Sequence, residues 1–199
     1  MVEMLSRLAL WWVRLAGWKV EGRLPPEPKL VVIGAPHTTN WDFVHMLATM
    51  TSFGVKASFM GKDSLFKGPF GSIMRRLGGI SIQRGVSESV VEQMAAAFAA
   101  ASSLVLVIAP AGTRHYSDHW KSGFYHIART ARVPIVPARI DYPHKIVTMG
   151  PPLRPGNDLT LDMDVLRQFF AGGVGKFPDQ ASAIRLAEEG PGPNGSLPT

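Results

Sequence analysis

The apolar positions fall into short blocks separated by polar and glycine-rich stretches, and the blocks alternate between two periods. Residues 29–34 form an apolar run too short for a helix, which predicts a buried strand. Residues 41–53 carry apolar side chains at helical spacing. Residues 56–60 are a weaker strand candidate. Residues 64–77 predict a helix interrupted at Gly68-Pro69, and residues 79–83 a short strand. Residues 89–101 predict the clearest helix: Ser89 and Glu92 have the S-x-x-E spacing of a capping box, and an alanine-rich run follows. Strands are predicted at 104–109, 134–140 and 145–149, and helices at 123–131 and 161–170, with Asp162 and Asp164 in the first turn of the latter. A last helix is expected at 181–187. Strands alternating with helices predict an α/β fold, one domain with a mixed, largely parallel sheet flanked by helices.

The opening residues predict an amphipathic helix. Glu3, Ser6, Arg7 and Arg14 share one face; Met4, Leu5, Leu8, Trp12 and Leu15 cover the opposite one, and Leu10 interrupts the polar side. Such a helix either lies in a membrane interface or packs on the domain's own core, and the sequence leaves both readings open. Pro25, Pro26 and Pro28 make a stiff break after it. The expected organisation is therefore an amphipathic segment over 1–23, a domain over 24–189 and a disordered tail over 190–199. The apolar stretch that Arg14 ends is short, and no small-residue cleavage site follows it, so no signal peptide is read.

Composition narrows the chemistry. The 199 residues are 46% hydrophobic and 18% charged, which excludes a disordered chain. There is no cysteine, so thiolate metal sites, disulfides and a cysteine nucleophile are excluded. Lys and Arg number 21 against 15 Asp and Glu, a formal charge of +6. The excess is concentrated in the middle of the chain: Lys56, Lys62, Lys67, Arg75, Arg76 and Arg84, then Arg114, Lys121, Arg129, Arg132, Arg139 and Lys145. Such clustering fits an anionic partner, or an ordinary solvated surface. No aromatic-basic stacking motif recommends nucleic acid.

Four stretches could carry chemistry. His37 and Asp42 flank the exit of a predicted strand and the start of a helix, where reactive groups of α/β proteins commonly sit. An imidazole accepts a proton near neutral pH, and a carboxylate on its other nitrogen would fix the tautomer. Ala109-Pro110-Ala111-Gly112-Thr113-Arg114 follows another buried strand; it offers a close-approach glycine, a hydroxyl and a guanidinium suited to phosphate. Ser81-Ile82-Gln83-Arg84 is a strand ending in arginine, and the prolines of Val133-Pro134-Ile135-Val136-Pro137 would stiffen a wall. Lys121 either adds to phosphate binding or is an ordinary surface lysine. Metal binding is the competing chemistry, through His37, Asp42 and His45 or through His115, Asp118 and His119; no metal is expected. Met46, Met50 and Phe53 share a helix face and are read as core, with an acyl channel as the alternative. No G-x-S-x-G elbow exists for a serine hydrolase.

In this order the four stretches resemble the motifs of the glycerolipid acyltransferase family, that of the 1-acylglycerol-3-phosphate acyltransferases. His37 and Asp42 match its H-x-x-x-x-D, Arg84 ends the second motif, Ala111-Gly112-Thr113-Arg114 stands for the end of F-P-E-G-T-R, and Val133 to Pro137 match V-P-x-x-P. The resemblance implies transfer of a fatty acyl group from acyl-CoA or acyl-ACP, as co-substrate without a further cofactor, to the hydroxyl of a lysophosphatidic acid-like acceptor. His37 would be general base, Asp42 its support, and backbone donors near the same helix start would meet the oxyanion. Arg84 and Arg114 would hold phosphate, with Gly112, Thr113 and Lys121 shaping the pocket. A peripheral place on the cytoplasmic side of a membrane is implied as well. One departure stands out: Ala111 occupies the family's glutamate position. A catalytically weakened or inactive lipid- or phosphate-binding member of the fold is the alternative.

Overall fold

The computed structural model describes residues 2–82 and 89–189. The chain passes in order through α1 (Val2–Leu15), β1 (Lys19–Glu21), β2 (Lys29–Ala35), α2 (Trp41–Ser52), β3 (Ala57–Lys62), α3 (Gly68–Arg76), β4 (Gly79–Ile82) and α4 (Val90–Ala100). It continues through β5 (Leu104–Ile108), α5 (Gly123–Ala131), β6 (Ile135–Asp141), β7 (Ile146–Met149) and α6 (Leu159–Phe170). Short 3-10 turns lie at Asp63–Phe66 and Pro178–Gln180. The expected tail over 190–199 lies outside the described residues, as do Gln83 and Arg84.

One seven-stranded sheet has the order β1-β7-β6-β2-β5-β3-β4. All neighbours pair parallel except β6 and β7. The exception has a simple cause: only residues 142–145 join those two strands, and a parallel crossover needs about a dozen. Central β2 is covered on both faces, which is why it reads as an unbroken apolar run. Val31, Ile33 and Ala35 point into a core with Met94 and Phe98 of α4, Phe124 and Ile127 of α5, and Met163 and Leu166 of α6. Leu30 and Val32 point to the other face, with Met50 of α2 and Val136 of β6. Each such fully buried side chain contributes about 1.5–3 kcal/mol relative to exposure.

The helix limits follow from local chemistry. α4 begins on the predicted capping box: the Glu92 amide donates to Ser89 Oγ at 3.2 Å, and the Ser89 amide to Glu92 Oε2 at 2.7 Å. Removing such a cap costs about 1 kcal/mol. The helix predicted from 161 starts at Leu159, because Asp158 Oδ1 accepts the Thr160 and Leu161 amides at 3.0 and 3.1 Å. The helix expected at 181–187 does not form. Its backbone pairs instead with the loop before α5: Trp120 N–H donates to Arg185 O at 2.7 Å, Ala183 N–H to Ser117 O at 3.0 Å, and Leu186 is fully buried. β1 was not predicted; it is an edge strand made by pairing with β7.

α1 packs one face on the domain and leaves another exposed. Val13 is buried with Trp18, Ala48 of α2, Ile140 and Val147, and Ala9, Leu10 and Ala16 pack beside it. That explains the apolar Leu10 on the polar side of the wheel. Met4, Leu8, Trp11, Trp12 and Leu15 form a separate, exposed stripe. Among the described residues no helix is long and apolar enough to cross a membrane.

Candidate active site

The parallel strands β2 and β5 end on one edge of the sheet, and the loops that follow them carry the His37–Asp42 and 109–114 motifs; Ser81 and Ile82 close β4, and residues 133–137 lie at the start of β6. β2 ends at Ala35, followed by a cis Ala35–Pro36 peptide and then His37. α2 opens at Trp41, so Asp42 lies in its first turn, where the helix dipole favours a carboxylate. The turn between them brings the pair together: His37 Nδ1 lies 2.9 Å from Asp42 Oδ2. A carboxylate accepts, so Nδ1 carries the proton and Nε2 is left as the basic nitrogen.

Asp42 is held from four directions. Oδ2 also accepts the Thr38 amide at 2.9 Å and the Thr39 amide at 3.0 Å, and Oδ1 accepts the Tyr142 hydroxyl at 2.6 Å. Burial pushes the Asp42 carboxyl up, but the bonds from His37, Tyr142 and the two amides outweigh it and hold the group below the usual carboxylate range. Burial, and then the bond to Asp42, push the Tyr142 phenol up, so it remains a donor. The Thr38 and Thr39 amides are thus engaged by Asp42, and the Trp41 amide donates to Thr39 Oγ1 at 3.4 Å. The expectation that donors at this helix start meet an oxyanion is not fulfilled by these three, because each already has an acceptor.

His37 and Asp42 border a cavity of about 280 Å³ whose other walls are largely apolar: Gly34 of β2, Phe43, Met46 and Met50 of α2, Phe59 and Met60 of β3, and Val107 of β5. Met46 and Met50 therefore wall a cavity rather than only filling core, whereas Phe53 packs in the core behind them. His45 also borders it. Its ring is buried against Trp18, and burial lowers its pKa to about 4, so it is neutral at pH 7. It is a helix residue of the wall. His119 pairs with Asp118 at 2.6 Å. Among the described residues no three His, Asp or Glu side chains converge as metal ligands would.

The 109–121 loop stands beside this site, since β5 pairs with β2 in register Ile33 to Ile108, and Ala109 joins the cavity wall. The rest of the motif lies outside the wall. Ala111 is buried in the apolar core with Ala35 and Trp120. Gly112 has φ +65°, a left-handed conformation that favours glycine, and a side chain there would meet Lys121 Cδ at 3.0 Å. Lys121 is exposed and lies over Gly112. Thr113 Oγ1 accepts the His115 amide at 3.2 Å, and Arg114 is exposed. Arg84, two residues beyond β4, lies outside the described residues.

Two features were not anticipated. Tyr142 reaches Asp42 from a position 100 residues away; its only sequence signal is a phenol at the end of a buried strand. A glycine-rich strap, Gly172-Gly173-Val174-Gly175-Lys176-Phe177, lies over the His37 turn: Phe177 N–H donates to Thr38 Oγ1 at 3.3 Å and Tyr142 N–H to Val174 O at 2.9 Å. Lys176 Nζ sits 6.0 Å from the Trp41 ring, and Trp41 stacks on Trp12 of α1 at 4.8 Å.

The fold is similar to the crystal structure of the 1-acyl-sn-glycerophosphate (LPA) acyltransferase PlsC from Thermotoga maritima, with a TM-score of 0.60 and 17% identity over 84% of this chain and 76% of that one. A search of curated protein sequences gives no match. The acyltransferase family model matches residues 18–141, a stretch that runs from the first edge strand through the His37–Asp42 turn to the end of β6. With that match over more than half of its length, the chain belongs to the acyltransferase family.

Proposed function

We propose that this protein moves a fatty acyl group from acyl-CoA or acyl carrier protein to the hydroxyl of a lysophosphatidic acid-like acceptor. The observation that carries the reading is the His37–Asp42 pair opening on an apolar cavity. His37 Nε2 takes the acceptor's hydroxyl proton as its oxygen attacks the thioester carbonyl. The C–S bond then breaks, and the leaving thiolate takes the proton from the imidazolium. Asp42 keeps the imidazole oriented and balances its charge. No acyl-enzyme is required, and no cofactor beyond the thioester itself. The cavity receives the acyl chain, while Arg114, Lys121 and Arg84 supply cations for the acceptor's phosphate beside the Gly112-Thr113 turn. The similarity of fold to an LPA acyltransferase supports this choice of acceptor.

The exposed stripe of α1, flanked by exposed Arg7 and Arg14, supports a peripheral place on an anionic membrane surface, cytoplasmic in the reading adopted here. A second reading, a weakened or inactive lipid-binding member of the family, is favoured by one observation: the family's glutamate position holds Ala111, buried among apolar side chains.

The test is transfer of labelled acyl groups from acyl-CoA to lysophosphatidic acid. The expected result is phosphatidic acid formation that falls by about 10²–10⁴ in His37→Ala. Transfer that survives His37→Ala unchanged would overturn the mechanism. Tight lipid binding without transfer, together with a large gain in Ala111→Glu, would establish the second reading.

A further inference from the structure

We infer that Tyr142 is a positioning residue for the reaction: its hydroxyl fixes the plane and the charge of the Asp42 carboxylate, and through it the imidazole of His37. The inference rests on the acyl-transfer reading only for its kinetic consequence. Its geometric basis is independent of the substrate. Three donors, His37 Nδ1 and the Thr38 and Thr39 amides, all converge on Oδ2 of Asp42. They hold one oxygen and leave the carboxylate free to swing about it. Tyr142 is the donor on Oδ1, at 2.6 Å, and so sets the remaining rotation.

The phenol is itself held with little freedom. Its backbone amide is tied to Val174 O, and its carbonyl accepts the Lys145 amide at 3.2 Å. Its ring stands edge-on to Trp18, centroids 4.9 Å apart, and to His45 at 5.6 Å. A group needed only for packing would be served by phenylalanine, which makes the same ring contacts. The bond lies in a partly buried setting, and with an ionised acceptor it is of the stronger, charge-assisted kind. By drawing charge toward Oδ1 it limits how strongly Asp42 holds the Nδ1 proton, and so tunes the base. The other ionisable groups packed around the pair are His45 on α2 and Lys176 on the strap.

The test combines ¹⁵N-histidine NMR of the protein alone with acyl-transfer kinetics, in the native chain, Tyr142→Phe, Asp42→Asn and the double variant. The His37 signal is identified by its loss in His37→Ala. In Tyr142→Phe the His37 titration is expected to move to higher pH, and kcat to fall about tenfold with the acyl-CoA KM unchanged. In the Asp42→Asn background the same substitution should change neither. Replacement of the three tyrosines by 3-fluorotyrosine, a stronger donor that keeps every ring, should move the His37 titration the other way. A His37 titration identical in native and Tyr142→Phe protein, or an equal effect of Tyr142→Phe with and without Asp42, would overturn the inference. If the titration responds as expected but the native chain transfers no acyl group, the positioning stands and the proposed reaction falls.

Discussion

The imidazole of His45 lies against the indole of Trp18, with ring centroids 3.8 Å apart and planes tilted by 37°. Its Nδ1 is buried and has no hydrogen-bond partner among the described residues. Burial holds the folded-state pKa at about 4, against 6.5 for an ordinary histidine. Between those values the unfolded chain binds a proton that the folded one excludes, so stability rises with pH. The contribution is fully present above pH 6.5 and is lost as pH falls to about 4, a span of about 3 kcal/mol. Asp42, held low, adds its own loss only below the usual carboxylate range. His45→Phe should remove much of the fall in urea midpoint between pH 7 and 4.5; a curve that falls as steeply as the native one would contradict this account.

Gly34 lies in the wall of the cavity, and a side chain built on it would meet nothing within 4 Å. The space it leaves is the cavity itself. Gly34→Leu should therefore fold normally and shift the preferred acyl donor toward shorter chains, since each methylene denied burial forfeits about 0.8 kcal/mol. Competition between short and long acyl-CoA substrates measures the shift. An unchanged preference would mean that the acyl chain lies elsewhere.

Gly175 is the tight point of the strap. A methyl group there would stand 2.8 Å from Thr38 Oγ1 and 2.9 Å from its Cγ2, too close to be accommodated without movement of the His37 turn. Gly175→Ala should lower kcat at least tenfold while shifting the melting temperature by only a few degrees. Gly123→Ala, where the added carbon meets nothing and φ is not positive, serves as the comparison for the general effect of adding a methyl group.

The outward stripe of α1 can be altered without touching its buried side. Leu8→Glu combined with Leu15→Glu should abolish sedimentation with anionic vesicles and leave the melting temperature within about 2 °C, because surface substitutions usually change stability by no more than 0.5 kcal/mol. Val13→Ala should do the reverse, retaining vesicle binding but costing about 1–3 kcal/mol through the cavity beneath the helix. If both sets behaved alike, the division of the helix into two working faces would be wrong.

Much of this was legible in the residues because the signals were local. The unbroken run at Lys29–Ala35 reads as a buried parallel strand since both its faces are covered, and Ser89 with Glu92 fixes the start of α4 from four residues alone. His37 and Asp42 are close in sequence and meet across one turn. What escaped depends on distant partners. Lys19-Val20-Glu21 has too little apolar character to read as a strand and becomes one only beside β7. Residues 181–187 have helical composition, yet tertiary pairing with Ser117 and Trp120 overrides it. Tyr142 and the strap over Thr38 carry no periodic or motif signal, and only the folded sheet brings them to Asp42.

The place of β2 in the sheet also bears on how the protein is made. The strand that leads to His37 receives one neighbour at Leu104–Ile108 and the other at Ile135–Asp141. During synthesis it must wait with both edges open until chain far downstream has emerged, and non-local parallel pairing of this kind is slow. Tyr142 and the strap arrive later still. A ribosome-stalled chain ending before residue 135 should therefore need protection from aggregation, and the appearance of activity in a refolding reaction should coincide with the last tertiary step rather than with helix formation.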